Sequence, residues 1–321
     1  MQEIASSSPA APPRLGVAGA GGFIGRRLVA RLRSRGSDVR AIVRDAHRSR
    51  RTLAPGTELV EADVETSGPD ELVAALEGCA HAYFLIHLMS GQNDGYAERE
   101  RRSAERFADA ARRAGVGRVT YLGGLGSDSP HLASRAGTAA ALAAHGPPLT
   151  YFRAAMIVGP GSASYELLRS IVERLPVAPA PGWLENRTQP IGVRDVIAYL
   201  AAAPEVPESA GREIQIGGPE ALSHRAVIEE LAAQMGRSGP RWVAVSNRLA
   251  TPGTMAAGAA TVTKGDPEVA AELALGLQEE TVVTDSSGAE LFPIRPEPLH
   301  RVFQRCLAEA ESRTNGSGAD A

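Results

Sequence analysis

Three glycines near the amino terminus have the spacing of a turn that binds phosphate. Gly19, Gly22 and Gly25 end a short apolar run and lead directly into a helical pattern. In such a turn the first glycine permits a tight bend, the second lets backbone N–H groups approach phosphate oxygens, and the third lets the helix pack closely. A helix amino terminus also favours negative charge. The segment therefore predicts a dinucleotide pyrophosphate site along Gly19, Gly22, Phe23, Ile24 and Gly25.

Charged residues follow the next two strand-like runs, where the adenosine half of a dinucleotide would lie. Arg44 ends the second run and Arg48 follows one turn later, which favours the 2′-phosphate of NADP. Asp45 leaves NAD possible, because a carboxylate there would contact ribose hydroxyls. Asp63, with Val64 beside it, follows the third run and either meets the adenine or caps the next helix. The sequence thus predicts NADP(H) as the preferred cofactor and NAD(H) as the alternative.

The elements that position these residues alternate between strand and helix. Strand-like runs cover residues 14–18, 38–43, 58–61, 80–86, 118–122 and 149–154, and helical patterns cover 22–35, 69–77, 98–114 and 132–144. Such alternation predicts an α/β fold with a doubly wound parallel sheet, the Rossmann fold. Ligands bind beyond the carboxyl ends of strands in such a sheet, so attention falls on the residues that follow each strand.

The second half of the chain is less regular. It predicts a loop at 177–183, a strand returning to the sheet at 187–194, a helix at 195–203, a strand at 213–216, and a helix capped by Ser223 and ending at 235. Weaker patterns predict a strand at 242–245 and helices near 268–277 and 297–310. We expect this half to form a smaller substrate lobe, in which Met156, Trp183 and Trp242 would suit an apolar ligand.

The predicted organisation has four parts. These are a disordered leader at 1–13, an NAD(P)-binding Rossmann domain at 14–160, a smaller C-terminal lobe at 161–311 interleaved with returning strands, and a disordered tail at 312–321. The leader has neither the basic region nor the apolar region of a signal peptide, which predicts a cytoplasmic protein.

Composition excludes several classes of function. The 321 residues carry 34 basic and 37 acidic side chains, a net charge of −3, so neither nucleic acid nor an anionic membrane is an expected partner. No apolar run is long enough to span a membrane. The two cysteines, Cys79 and Cys306, are far apart and lack the spacing of metal ligands, so no metal is expected.

Several motifs, in this order, carry a resemblance to a known family. They are GAGGFIG, AIVRD, EADV, YFLIHLMSG, VTYLGGLGSDS, YFRAAMIVGPGS, RTQPIGVRDVIAYL and EIQIGGPEALS. From about Arg14 to Met235 the chain resembles the atypical, extended branch of the short-chain dehydrogenase/reductase superfamily, especially its NmrA-like NAD(P)-binding members. The resemblance implies that Leu85, Ile86 and His87 line the cofactor. It also implies that Gly123, Ala154, Ala155 and Met156 lie beside the nicotinamide.

The catalytic pattern of that superfamily is altered. Where its enzymes carry Tyr-x-x-x-Lys, this chain has His131 and Arg135 at the same spacing. Arg135 can still hydrogen-bond the nicotinamide ribose, and His131 either donates a proton or merely begins the helix. Ser127 either polarises a carbonyl, as the family's serine does, or forms a turn. Tyr121 is expected to face the interior of the sheet.

Two classes of function remain, together with a disfavoured third. The first is an NAD(P)H-dependent oxidoreductase that reduces a small carbonyl or enone, with His131 or water as the proton source. The second is a non-catalytic NADP(H)-binding redox sensor or assembly factor, which the altered Tyr/Lys pair favours. A sugar-nucleotide epimerase or dehydratase would need the missing pair. The expected partner is a small-molecule substrate, and the chain is expected to be a monomer or homodimer.

Overall fold

A seven-stranded parallel sheet forms the centre of the protein. The computed structural model describes residues 12–87, 95–126, 130–262, 269, 273–274 and 276–316. Its strands are β1 (Arg14–Ala18), β2 (Asp38–Val43), β3 (Glu58–Glu61), β4 (Cys79–Phe84), β5 (Arg118–Gly124), β6 (Leu149–Ala154), β7 (Ile157–Val158), β8 (Val177–Ala180), β9 (Arg187–Thr188), β10 (Ile191–Gly192), β11 (Glu213–Ile216), β12 (Leu222–Ser223) and β13 (Arg241–Ala244). The main sheet has the order β11-β6-β5-β4-β1-β2-β3.

Helices cover both faces of this sheet. They are α1 (Phe23–Ser34), α2 (Ala46–Ser49), α3 (Pro69–Leu76), α4 (Tyr96–Arg113), α5 (Pro130–His145), α6 (Ala163–Arg174), α7 (Val193–Ala202), α8 (His224–Gln234), α9 (Pro252–Val262), α10 (Ser287–Leu291) and α11 (Leu299–Gly316). Helices α1 and α7 pack on one face, and α3, α4 and α5 pack on the other. The predicted Rossmann fold is therefore confirmed.

Burial on both faces explains the apolar composition of the central strands. Tyr83 of β4 packs with the α1 and α7 side, whereas its neighbour Phe84 packs with α3 and α4. The Tyr83 hydroxyl donates a 3.0 Å hydrogen bond to the carbonyl oxygen of Leu200, so its polar end is satisfied inside the core. Alternate side chains of one strand thus serve two separate cores, as expected for a doubly wound sheet.

Two predictions for the second half are wrong. Residues 187–194 do not return a strand to the main sheet, because they form β9 and β10, which pair with β12 and β7 respectively. Pro190 lies between them and has no N–H for a continuous ladder. Residues 177–183 are not a loop throughout, since β8 pairs in parallel with β13. Pro179 is accepted there because β8 is paired on one side only within this two-stranded sheet.

The third core belongs to the C-terminal half. Helices α6, α8 and α11 bury Tyr165, Leu231 and Phe303 together. Ser223 caps α8 as predicted, with its side chain accepting from the N–H of Ala226 at 3.2 Å. Helix α11 continues through Gly316, beyond the predicted start of the disordered tail at 312. Most of the helix predicted near 268–277, like nearly all of the predicted leader, lies outside the described residues.

No helix in the described part of the chain combines the length and apolar character needed to cross a membrane. Cys79 and Cys306 are buried free thiols. Among the described residues, no cluster of three or more His, Cys, Asp or Glu side chains is arranged to hold a metal ion.

Candidate functional site

The strand order reverses next to β1, and this creates a crevice at the carboxyl edge of the sheet. Strand β1 lies between β2 and β4, so the chain proceeds in one direction to β3 and then crosses to the other side of β1. Ligands of open α/β sheets bind outside such a switch point. The glycine-rich turn after β1 and the segment after β4 meet at this position.

The glycine-rich turn has no room for side chains at two of its positions. Gly19 has a φ of +79°, and a Cβ atom there would lie 2.5 Å from the carbonyl oxygen of Leu85. A Cβ atom on Gly25 would lie 2.2 Å from the carbonyl oxygen of Gly19. Both contacts are with backbone, which cannot move aside as a flexible side chain would. The first and third glycines are therefore required for the turn itself.

The middle glycine begins helix α1 and leaves the helix terminus bare. The N–H of Gly22 donates a 3.0 Å hydrogen bond to the carbonyl oxygen of Gly19, which closes the turn. Gly22 is the N-cap, no side chain caps the helix, and no acidic residue lies in its first turn. The N–H groups of Phe23 and Ile24 have no acceptor within a helix, because they belong to its first turn. This cradle fits the pyrophosphate of a dinucleotide.

Phe23 connects the start of α1 to the segment after β7. The Arg27 guanidinium lies 4.1 Å from the centre of the Phe23 ring. It also donates hydrogen bonds of 2.9 Å to the Phe23 carbonyl oxygen and 2.7 Å to the Pro160 carbonyl oxygen. A Cβ atom on Gly159 would lie 3.4 Å from the tip of the Phe23 ring. The first turn of α1 is thus packed against residues 159–160.

The residues predicted to choose between NADP and NAD follow β2. Arg44 and Arg48 are both exposed. The Asp45 carboxylate caps α2 by accepting the N–H of Arg48 at 2.8 Å. Asp45 therefore already has a structural role, whereas the side chains of the two arginines are exposed beyond the end of β2.

Asp63 and Val64 differ in their surroundings. An Asp63 carboxylate oxygen accepts the N–H of Glu65 at 2.9 Å, and the Asp63 N–H donates to the Ser67 hydroxyl at 3.1 Å. Asp63 thus caps the turn after β3, while the N-cap of α3 is Gly68. Val64 is only 2% exposed and packs in the core, so the structure does not bring its side chain to the surface of the crevice.

The segments predicted to line the nicotinamide lie along the carboxyl ends of β4, β5 and β6. The N–H of Leu85 donates a 3.0 Å hydrogen bond to the carbonyl oxygen of Ala18 in β1, and this bond holds the segment against the glycine turn. Of the remaining residues, Ala154 and Ala155 are buried, and Ile86, His87 and Met156 are partly buried. Met156 packs against the third core.

A cluster of three titratable side chains lies at this edge: Glu100 is buried, and His87 and Arg135 are half-buried. Nη1 of Arg135 lies 3.0 Å from Nε2 and 3.3 Å from Nδ1 of His87, so the cation contacts both ring nitrogens. Glu100 on α4 lies 3.5 Å from Nδ1 of His87 through Oε1. Its other oxygen, Oε2, accepts a 2.7 Å hydrogen bond from the hydroxyl of Ser134. Two predicted site residues, His87 and Arg135, are therefore in contact.

The protonation of this cluster follows from its surroundings. Burial and the nearby Arg135 cation lower the pKa of His87 to about 4, although Glu100 acts in the opposite direction. Burial tends to raise the pKa of Glu100, but its bonds to His87 and Ser134 and the Arg135 charge bring it below its usual value. At neutral pH the cluster therefore holds an ionised carboxylate, a neutral imidazole and a guanidinium cation.

Glu100 was not among the predicted site residues. It is 4% exposed and shares the buried face of α4 with Ser103, Ala104 and Phe107. An acidic residue in phase with the apolar side chains of a helix is a signal, because buried carboxylates need partners. That signal was present in the sequence.

Two stacked tyrosines complete the β5–β6 part of the edge. The rings of Tyr121 and Tyr151 are 5.4 Å apart at an interplanar angle of 23°. Tyr121 is fully buried, as predicted. The Tyr151 hydroxyl reaches Gly123, where a Cβ atom would lie 2.7 Å from it. Gly123 therefore makes room for a tyrosine from the neighbouring strand.

The C-terminal half contributes a carboxylate near the end of β5. A Cβ atom on Gly126 would lie 2.6 Å from Oε2 of Glu279. Two hydrogen bonds hold the backbone on either side of Glu279. The Asn186 side chain donates to the Gln278 carbonyl oxygen at 2.6 Å, and the Thr281 N–H donates to the Arg187 carbonyl oxygen at 2.9 Å.

The two tryptophans that we expected to suit an apolar ligand pack in the third core. The indole N–H of Trp183 donates to the Ala250 carbonyl oxygen at 3.3 Å, and that of Trp242 donates to Glu229 at 2.8 Å. Both polar groups are satisfied within the lobe, so these rings stabilise it.

Of the two remaining residues predicted to take part in catalysis, the structure describes the chain position of one. His131 lies on α5, one turn before Arg135. Ser127 lies outside the described residues, and its predicted role stays a prediction.

Comparison with known proteins agrees with the geometry of the crevice. Residues 19–154 match a family model described as NAD(P)H-binding. A curated relative, NADH dehydrogenase [ubiquinone] 1 alpha subcomplex subunit 9, mitochondrial, of Arabidopsis thaliana, is 28% identical over 240 residues. The match covers 71% of this chain and 59% of that relative, so the chain spans about three fifths of its length.

Solved structures share the fold over nearly the whole chain. The triphenylmethane reductase of Citrobacter sp., complexed with NADP(H), is similar with a TM-score of 0.71, 18% identity, and coverage of 91% of this chain and 99% of that one. An NADPH-dependent quinone oxidoreductase from Escherichia coli, complexed with NADPH, gives a TM-score of 0.71, 18% identity, and coverage of 91% and 99%. At this level of identity the likeness shows the fold.

Proposed function

We propose that the protein is an NADPH-dependent oxidoreductase acting on a small carbonyl, enone or quinone, and the match of residues 19–154 to an NAD(P)H-binding family model supports this. The bare amino terminus of α1 carries the proposal, since its glycine turn is shaped for a dinucleotide. A finer placement among the NmrA-like short-chain dehydrogenase/reductases, and a location in the cytoplasm, are parts of the same proposal.

Residues of this chain are assigned to each part of the cofactor. The first turn of α1, with Phe23 and Ile24, would hold the pyrophosphate. Arg44 and Arg48 would hold the 2′-phosphate, because both are exposed beyond β2. The Asp63 carboxylate would contact the adenine. Arg135, which contacts His87, would donate a hydrogen bond to the nicotinamide ribose.

The carboxyl edge of the sheet would hold the nicotinamide half of the cofactor, where the reaction takes place. A bound reduced nicotinamide would supply two electrons and a hydrogen to the substrate. The segments at 85–87, 123–126 and 154–156 would fix the position of that ring. Ser127 would polarise the substrate oxygen, and His131 or a water would supply the proton.

The experiment is a titration followed by a turnover assay. NADPH fluorescence should report saturable binding, and NADPH absorbance should fall when a small quinone, an enone or an aromatic aldehyde is added. Replacement His131→Phe separates the two proton sources, because a rate that is unchanged assigns the proton to another donor. Saturable binding without any turnover would reject the oxidoreductase.

A second candidate is a protein that binds the dinucleotide without turning it over. Two observations favour it: the spacing of Tyr-x-x-x-Lys is filled by His131 and Arg135, and the Arabidopsis relative is named as a subunit of a larger dehydrogenase. Such a protein would bind NADPH with the same turn and would act as a redox sensor or assembly factor. The turnover assay distinguishes it from the enzyme.

A further inference from the structure

We propose that Tyr151 on β6 donates the proton of the reduction, with Arg135 on α5 as the cation that assists it. This inference rests on the proposed function and assigns the proton to Tyr151 in place of His131 or water. The two groups come from different elements of the fold, so no local sequence motif joins them.

The first step of the argument is the position of the hydroxyl. Tyr151 is in register with Tyr121 on β5, yet its side chain extends along the sheet as far as Gly123. Gly123 is the penultimate residue of β5, at the edge where the reacting half of a cofactor would lie. Any side chain at residue 123 would displace the hydroxyl, since a Cβ atom would lie 2.7 Å from it.

The second step is the state of the hydroxyl. Within the part of the chain that the structure describes, the Tyr151 hydroxyl makes no hydrogen bond, and the residue keeps 7% of its surface exposed. The Tyr121 hydroxyl also lacks a hydrogen bond in that part of the chain, but it is wholly buried. A tyrosine hydroxyl normally has a partner when it lies in a core. Of the stacked pair, Tyr151 alone keeps exposed surface, and its hydroxyl lies beside Gly123 near the carboxyl end of β5.

The third step is the electrostatic environment. Burial raises the pKa of Tyr151, so the phenol is protonated and able to donate at neutral pH. The Arg153 and Arg135 cations act against that rise, because each stabilises the phenolate that remains after donation. Arg135 is itself fixed over His87, and its Cδ atom would lie 3.9 Å from a Cβ atom on Gly124.

The chemical step balances as follows for a carbonyl substrate. The carbonyl carbon gains the hydrogen and two electrons that the reduced nicotinamide supplies. The Tyr151 O–H bond breaks as its proton moves to the carbonyl oxygen, and the product is an alcohol. The phenolate then recovers a proton from water, so the protein is unchanged after one turnover.

The matched variants are Tyr151→Phe and Tyr121→Phe. Each removes one hydroxyl from the same stacked pair, so their effects on ring packing are comparable. We expect Tyr151→Phe to lower the single-turnover rate with an aromatic aldehyde by about 100-fold or more, with NADPH affinity within about twofold of wild type. We expect Tyr121→Phe to keep the wild-type rate. Urea denaturation of both variants establishes that they are folded.

A readout without turnover tests the position of Tyr151 directly. In protein labelled with ¹³C at the tyrosine Cζ, the resonance absent from Tyr151→Phe belongs to Tyr151. Saturating NADP⁺ should shift that resonance and leave the resonance of Tyr165, in the third core, unchanged. An unshifted Tyr151 resonance would place it away from the nicotinamide and overturn the proposal.

The outcomes separate this inference from the function on which it rests. Turnover by the wild type with an equal rate in Tyr151→Phe rejects proton donation by Tyr151 and leaves the oxidoreductase intact. Absence of wild-type turnover with every substrate rejects both. A 100-fold loss in Tyr121→Phe as well would indicate damage to packing, and it too would overturn the assignment.

Discussion

The hydroxyl of Ser134 donates a 2.7 Å hydrogen bond to the buried carboxylate of Glu100, and this bond joins α5 to α4 one residue before Arg135. The carboxylate also faces His87, and His87 in turn contacts Arg135, so one acidic side chain supports two neighbours directly and the arginine through one of them. The position of the proposed ribose-binding arginine therefore depends on a residue from another helix.

The first prediction concerns the stability that this carboxylate provides. Glu100→Ala should lower the free energy of unfolding by about 3 kcal/mol, because His87 and Ser134 would lose the buried carboxylate that they contact. Ser134→Ala should cost about 1 kcal/mol, as one hydrogen bond is lost. Urea denaturation measures both. The control is Glu98→Ala on the exposed side of the same helix, where solvent screens the ion pair with Arg101 and the loss should be small. Equal losses at residues 98 and 100 would contradict the buried cluster.

The second prediction concerns the glycine turn. Gly19→Ala should abolish NADPH binding and destabilise the protein by about 2 kcal/mol or more, since its φ is +79° and its Cβ would meet the Leu85 carbonyl. Gly21→Ala is the matched control two residues away, because a Cβ there would have no neighbour within 4 Å. Fluorescence titration and thermal unfolding compare the two. Full binding by Gly19→Ala would refute the steric argument.

The third prediction concerns how the free energy of unfolding changes at acidic pH. Burial lowers the pKa of His81 to about 3 and that of His224 to about 4, from an ordinary value of 6.5. The unfolded chain therefore binds more protons than the folded chain between these values, and the free energy of unfolding should fall as the pH drops from about 6.5 to 4. Each histidine contributes about 1.4 kcal/mol per pH unit at most.

Urea curves at pH 7, 5.5 and 4.5 test this prediction, and His81→Gln should reduce the slope. His81 is a suitable choice because its Nε2 lies 2.9 Å from the Thr120 hydroxyl, a contact that glutamine can replace. The same slope in the variant and the wild type would show that other groups control acid unfolding.

The fourth prediction concerns cofactor preference. Arg44→Ala should weaken NADPH binding by about 10-fold or more and leave NADH binding nearly unchanged, because only NADPH carries the 2′-phosphate. Arg50→Ala removes another exposed arginine just past α2 and is the control. Equal affinities of the wild-type protein for NADPH and NADH would reject Arg44 as the determinant.

The sequence was sufficient where one residue decides the local geometry. The glycine turn was predictable because positive φ and a backbone contact leave glycine as the only fit. Strands such as β1 and β2 were predictable because each ends in a short apolar run, at residues 15–18 and 41–43, that is followed by the start of a helix. The sequence shows Pro190, but whether it interrupts a strand of the main sheet depends on which strands lie alongside residues 187–194. Glu100 and Tyr151 were missed because their partners come from other helices and strands.

The link between Phe23, Arg27 and Pro160 has a mechanical consequence. It joins the place where phosphate would bind to the chain segment that leads into the C-terminal lobe. Tightening of the first turn of α1 around an anion would be transmitted through the arginine to that junction. Occupancy of the first turn would thereby stiffen the junction at residues 159–160, where the C-terminal half begins.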